Sequence, residues 1–221
     1  MIDLLGIGAR TPVGLTAAAS AASIRAGISR LREFSFTTMR GEPLIIGTDP
    51  RLANALQGPR RMIELATPTL LQALAGIDPG TATECQLWLA APEHRPGFSD
   101  RDAAVITQAL VDELRRRGYR CQAVLGGRGH AGVMQCMQRL LTNANPEYLQ
   151  LVVGVDSFCD DECIIWLEKE RRLTQDGVRG GFTPGSRRMP VAGAAATRKP
   201  PQAQAARYYL GGRCASRDPA P

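Results

Sequence analysis

The clearest alternation of apolar and polar positions lies in the middle of the chain. Residues 121–125 form a short apolar run that Gly126 and Gly127 interrupt, and apolar residues then recur at helical spacing over residues 131–141. Residues 149–155 are almost wholly apolar and β-branched, which is typical of a strand covered on both faces. The pattern predicts a strand, a tight turn, a helix and a second, parallel strand, with functional groups at the carboxyl ends of the strands.

Similar patterns predict the elements on either side of this unit. We expect strands near residues 2–7 and 87–91, a hairpin within residues 36–46, helices over residues 15–26, 62–74 and 99–117, and a helix that Asp160 or Asp161 caps and that ends toward Gly177. Strands that alternate with helices predict an α/β protein. Its one mostly parallel sheet would hold the strands near residues 2–7, 87–91, 120–125 and 149–155, with helices on both faces.

The end of the chain has a different composition. Residues 186–221 carry seven Arg and Lys residues against Asp218 alone, so this segment holds the entire net charge of +6. The segment is rich in Ala, Pro, Gly and Arg and shows no apolar periodicity, so it cannot bury enough apolar surface to order itself. The 221 residues are therefore predicted to form one domain over residues 1–185 and a disordered tail over residues 186–221.

The charge pattern and the hydropathy exclude two classes of partner. A nucleic-acid interaction would rest on the charge of the tail, which has only Tyr208 and Tyr209 as interleaved aromatic residues, so no nucleic-acid partner is expected. The chain has no apolar run of membrane-spanning length and no signal peptide at its start. We therefore expect a cytoplasmic protein that does not enter a membrane.

Candidate cofactor and metal sites are weak. The Gly6-x-Gly8 spacing lacks the third glycine and the acidic partner of a dinucleotide site, so no cofactor is expected. Cys159 and Cys163 have helical spacing, which leaves structural zinc open, but buried reduced thiols are favoured and no metal is predicted. His94 lies on a loop after a strand, where a solvated histidine is the ordinary role.

Several short segments resemble one enzyme family. Residues 6–14 (GIGARTPVG) and 24–29 (IRAGIS) look like a first strand, turn and helix end, residues 152–157 look like a strand that ends in Gly-Gly-x-Glu, and residues 181–185 (GFTPG) look like the start of a glycine-rich turn. In this order and spacing they resemble the N-terminal half of the β-ketoacyl-acyl-carrier-protein synthases, the ketosynthase branch of the thiolase-like superfamily. The resemblance covers residues 1–185.

The resemblance implies acyl transfer in fatty-acid or polyketide synthesis, with an acyl carrier protein or acyl thioester as partner and a homo- or heterodimer as the assembly. In the family a cysteine at the start of the central helix attacks the acyl thioester, and histidines from the C-terminal half assist. That position falls near Gly127 here, and no Cys, Ser or Thr lies between Gly126 and His130. Cys121 and Cys136 are too far along the chain to replace it, and a structural role is favoured for His130.

The resemblance also ends early. After Gly185 the family's next strand is replaced by the Ala-, Arg- and Pro-rich segment, so we expect a truncated chain in which residues 150–155 become an exposed, association-prone edge strand. The functional hypothesis is a β-ketoacyl synthase-like protein that lacks the nucleophilic cysteine. The alternative is a non-catalytic homologue that binds an acyl carrier or pairs with an active synthase.

Overall fold

The structure is a computed structural model that describes residues 3–78, 80, 84–143, 145, 147–174, 181 and 183–184, and the backbone of residues 192–198. In chain order its elements are β1 (Asp3–Arg10), α1 (Ala17–Arg25), β2 (Leu31–Thr37), β3 (Pro43–Gly47), α2 (Gly58–Leu74), β4 (Glu84–Ala91), α3 (Asp100–Arg116), β5 (Arg120–Arg128), a 3-10 turn (Gly129–Ala131), α4 (Gly132–Asn143), β6 (Leu149–Gly154), α5 (Asp161–Lys169) and β7 (Ala192–Arg198).

Five strands form one sheet in the order β1-β7-β6-β4-β5. β4 pairs in parallel with both β5 and β6, and β7 runs antiparallel to β6 and to β1. Four of the five strands therefore point the same way, which confirms the predicted mostly parallel sheet. The predicted strand–helix–strand unit β5-α4-β6 is present, but it steps over β4, which lies between its two strands.

The prediction that residues 150–155 form an exposed edge is wrong. β7 pairs with β6 from Gln150 opposite Thr197 to Gly154 opposite Gly193, so β6 lies inside the sheet. The segment of β7 (AGAAATR) gave no strand signal because Ala and Gly carry no apolar alternation, yet its backbone groups pair with both neighbours. The disorder predicted for residues 186–221 does not hold for this strand, and the rest of that segment lies outside the described residues.

The helices cover the two faces of the sheet, as predicted. α2 packs on β1, β7 and β6, and α3 packs on β4 and β5, whereas α4 packs on the opposite face of β4, β5 and β6. α2 approaches β1 closely because a Cβ at Gly6 or Gly8 would collide with the backbone of α2. Pro68 lies within α2 and does not end it.

The helix starts follow from local capping. Ser99 and Asp102 form a capping box at the start of α3, and the Asp160 side chain accepts hydrogen bonds from two backbone N–H groups of α5. α5 ends at Lys169 rather than toward Gly177, because Arg171 adopts a left-handed φ of 50° that stops the helix.

A second, smaller core lies beside the main sheet. β2 and β3 form an antiparallel pair, as the hairpin signal predicted, although β2 begins at Leu31 rather than near Phe36. Phe34 and Ile46 of this pair pack with Cys163 and Ile164 of α5. No helix within the described residues is long and apolar enough to cross a membrane.

Candidate functional site

The turn from β5 to α4 lies at the carboxyl ends of the parallel strands, where the sequence predicts a functional site. Its glycines allow the start of α4 to approach the sheet closely. A Cβ at Gly127 would collide with the carbonyl oxygen of Gly132, and a Cβ at Gly129, whose φ is +63°, would collide with the Glu93 carboxylate. At Gly127 and Gly129, backbone atoms or a neighbouring carboxylate therefore occupy the space that a side chain would need.

The predicted position of the family nucleophile coincides with this close packing. Gly127 cannot hold a larger residue without movement of α4, and the neighbouring Arg128 side chain is engaged elsewhere. Cys121 lies near the opposite, amino end of β5, and Cys136 faces the sheet from within α4. Burial raises the pKa of the Cys136 thiol to about 11, so this thiol stays protonated near neutral pH.

The polar groups around the turn form hydrogen bonds and ion pairs with one another. The Arg128 backbone N–H donates to Gln135 Oε1 at 3.1 Å, and its guanidinium donates to the carbonyl oxygen of Pro92 at 3.2 Å and to the Asp100 carboxylate. His94 Nε2 also lies 3.0 Å from Asp100 Oδ1. The hydrogen bond from His94, helped by Arg128, lowers the pKa of Asp100. These contacts tie the loops after β4 and β5 to the start of α3.

The two histidines that the sequence singled out are separate. His94 belongs to the Asp100 cluster, as an exposed loop residue whose Nε2 lies within hydrogen-bond distance of the Asp100 carboxylate. His130 lies in the 3-10 turn before α4, and it is exposed. The two histidines thus belong to different segments, His94 to the loop after β4 and His130 to the turn before α4.

An ion pair that the sequence pattern did not indicate lies beyond the carboxyl ends of β4 and β6. Arg95 Nη2 donates to Asp156 Oδ1 at 2.5 Å and to the carbonyl oxygen of Ser157 at 2.9 Å, and the guanidinium lies 4.1 Å from the centre of the Phe158 ring. The Arg95 side chain is only 6% exposed. This pair joins the segment after β4 to the segment after β6. Only the position of both residues just beyond parallel strands could have suggested their contact.

A cleft of about 650 Å³ opens next to this ion pair, between the starts of α2, α3 and α5. Its acidic side chains have structural roles, since Asp102 completes the capping box of α3 and Asp160 caps α5. Burial raises the pKa of Asp160. The described part of the chain contains no group of His, Cys, Asp and Glu residues arranged to hold a metal ion. The acidic side chains of the cleft therefore serve to hold the starts of α3 and α5.

Comparison with known proteins identifies the fold. No protein-family model and no curated protein matches the sequence. A solved ketosynthase from module 6 of the bacillaene synthase of Bacillus subtilis 168 matches 93% of this chain over 41% of its own length, with a TM-score of 0.58 and 15% identity. The ishigamide ketosynthase/chain length factor matches 89% of this chain over 58% of its length, with a TM-score of 0.59 and 16% identity.

A third match is a chain of the AntDE:AntF complex, a type II polyketide synthase acyl-carrier protein with its ketosynthase bound to the hexaketide. It covers 90% of this chain and 58% of that chain, with a TM-score of 0.64 and 14% identity. The chain thus spans about half the length of the structures it matches. At these identities the likeness concerns the fold alone, and it confirms the resemblance seen in the sequence: the protein has the α/β thiolase-like fold of part of a ketosynthase.

Proposed function

We propose that this protein is a ketosynthase-like protein that does not itself condense acyl groups and instead serves as a non-catalytic partner of an acyl carrier protein or of an active ketosynthase. One observation carries the proposal. The turn that leads into α4 contains no Cys, Ser or Thr, and its glycines are packed so that Gly127 has no room for a side chain. The position near Gly127, where the resemblance places the family's cysteine, therefore favours backbone over a reactive side chain.

The other described thiols support a non-catalytic role. Cys136, Cys159 and Cys163 are buried, and burial raises the pKa of each thiol. Cys121 is half-buried, but it lies at the end of β5 that is remote from the turn. A thioester that approached the carboxyl ends of the strands would therefore meet no reactive thiol among the described residues.

Exposed apolar residues on the α4 side of the sheet support a protein partner. Gly6 and Gly8 face α2, so Leu5 and Ile7 of β1 point to the other face, and these two side chains are 46% and 57% exposed. Met134 and Leu141 of α4 are 70% and 60% exposed. Apolar side chains exposed to this extent on one side of a sheet favour contact with another protein. The free edge of β5 offers a second place for pairing, as a homo- or heterodimer.

The test is acylation by a thioester donor, followed by intact-mass analysis. We expect no acyl adduct on the β5–α4 turn of the unchanged protein. His130→Cys is the positive control, because this exposed position in the turn before α4 accepts a thiol without displacing buried groups. An acyl adduct on residues 126–136 of the unchanged protein would overturn the proposal.

Partner binding is measured separately, with an acyl carrier protein and with an active ketosynthase as the two ligands. The partner role would be supported if either ligand binds and if the Ile7→Ser substitution weakens that binding. Arg101→Ser, at an exposed position on α3, is the matched surface control. Absence of binding to both would exclude that role while leaving the absence of condensing activity intact.

A further inference from the structure

Two cysteines face each other at the amino ends of β4 and β5, at the opposite end of these strands from the turn. Cys85 and Cys121 are direct partners in the parallel register. Neighbouring strands lie about 4.8 Å apart, which is within the separation that a disulfide requires. Both side chains belong to the core between the sheet and α2 and α3. Both thiols are free in the structure.

The two thiols have unequal surroundings. Cys85 is fully buried, whereas Cys121 is half-buried and lines a surface cleft of about 520 Å³. The cleft also contains Arg115, Tyr119 and Arg120. Arg120 is paired with Glu84 at 2.5 Å and Arg115 with Asp112 at 3.4 Å, and the positive charge of Arg115 acts on the Cys121 thiol. A small molecule in solvent can therefore reach Cys121 and cannot reach Cys85.

The same contact sets the acidity of each thiol. A hydrogen bond with Cys85 lowers the pKa of Cys121, with further help from the Leu87 backbone and Arg115, whereas the hydrogen bond and burial raise the pKa of Cys85. The accessible sulfur of Cys121 is therefore the more acidic of the two, and its thiol donates to the carbonyl oxygen of Gln122 at 3.5 Å. A low-pKa accessible thiol next to a second thiol is the arrangement found in peroxide-sensitive cysteine pairs.

We propose that Cys121 and Cys85 form a dithiol redox site that hydroperoxides oxidise to a cross-strand disulfide. The Cys121 thiolate attacks the terminal oxygen of the hydroperoxide, so that an S–O bond forms, the O–O bond breaks and an alkoxide or hydroxide leaves. Sulfur is oxidised by two electrons and the peroxide is reduced. The Cys85 sulfur then attacks the Cys121 sulfenic sulfur, and the S–O bond breaks as hydroxide leaves with the Cys85 proton as water.

The other described cysteines outside the pair are neither accessible to solvent nor acidic. Cys136, Cys159 and Cys163 are 0%, 3% and 1% exposed, and each has a raised pKa. The site lies away from the β5–α4 turn and does not depend on the function proposed above. Its oxidation would fix the edge strand β5 to β4 at their amino ends.

The test is limited oxidation of the full chain with hydrogen peroxide, then alkylation and peptide mapping. Every protein carries Cys214→Ser, because residue 214 lies outside the described residues. We expect one disulfide, between Cys85 and Cys121, with the loss of two hydrogens in the intact mass. Cys121→Ser should slow thiol oxidation at least about tenfold. In Cys85→Ser, the oxidation should stop at the sulfenic acid of Cys121, which dimedone traps. Cys136→Ser should be oxidised like the parent protein.

A parent protein that forms no Cys85–Cys121 disulfide would overturn the proposal, as would a Cys136→Ser variant that is slowed as much as Cys121→Ser. A second measurement needs no substitution at the pair. Native alkylation of the parent protein with iodoacetamide, followed by mass, should modify Cys121 before Cys85, Cys136, Cys159 and Cys163. Earlier modification of any of those four would also overturn the proposal.

Discussion

The two faces of the central sheet differ in how completely they are covered. On the face of α2 and α3, alternate residues of β4 and β6, such as Leu87 and Leu151, are fully buried in one continuous core. On the face of α4, a small core around Trp88 and Val152 lies under one helix, and the β1 side chains remain about half exposed. The face of α2 and α3 therefore supplies most of the apolar burial, while the face of α4 keeps exposed apolar surface.

The largest expected effect comes from a charge in the small core under α4. Val152 is 3% exposed and packs with Trp88 and Leu140, so Val152→Lys should cost more than about 4 kcal/mol of unfolding free energy. The matched control is Val124→Lys on the edge strand β5, where the side chain is 37% exposed and the charge can reach water. Urea unfolding measures both variants. Equal losses would show that β5 is covered in solution.

The next effect compares one residue from each face. Leu87→Ala removes a fully buried side chain between the sheet and α2 and α3, and should cost about 3 kcal/mol. Leu141→Ala shortens a side chain of α4 that is 60% exposed, and should change stability by less than about 0.5 kcal/mol. A large loss in Leu141→Ala at low protein concentration would mean that α4 is already covered, and the contrast between the faces would fail.

The smallest effect depends on pH. Burial raises the pKa of Cys136 from 9.0 to about 11, so the thiol is neutral in both states below pH 9.0, and only the unfolded chain ionises as the pH rises further. The contribution of Cys136 to stability is therefore fully present below pH 9.0 and is lost as the pH rises toward 11. Unfolding free energies across this range should fall less steeply in Cys136→Ala. An unchanged slope would contradict the burial of this thiol.

Much of the fold could be predicted because its signals are local. The apolar run of residues 149–155 and the Ser99 cap identified β6 and α3, and the glycines after residue 125 identified the turn into α4. The second neighbour of β6 could not be predicted, because β7 is an Ala- and Gly-rich strand held by backbone pairing, which leaves no pattern in the sequence.

The candidate site could be predicted in part, because some of its features are local in the sequence. The lack of Cys, Ser and Thr between Gly126 and His130 is visible in the sequence, whereas the close approach of Gly127 to Gly132 depends on how α4 packs on the sheet. Arg95 and Asp156 are distant in sequence and belong to two loops without a motif, so only the strand order brings them together. The Cys85–Cys121 contact likewise depends on the register of two parallel strands.

The position of β7 has a consequence for the order in which the chain folds. β1 is made first, yet its strand partner in the sheet is β7, and Asp3 pairs with Arg198 at the far end of the described residues. During synthesis, the edges of β1 and β6 that pair with β7 therefore stay unpaired until β7 has been made. Contacts of such large sequence separation form slowly, and open strand edges can pair with other chains. β7 fills the gap between β1 and β6, and the rate at which it pairs sets how long these two strand edges of a newly made chain are open to misassembly.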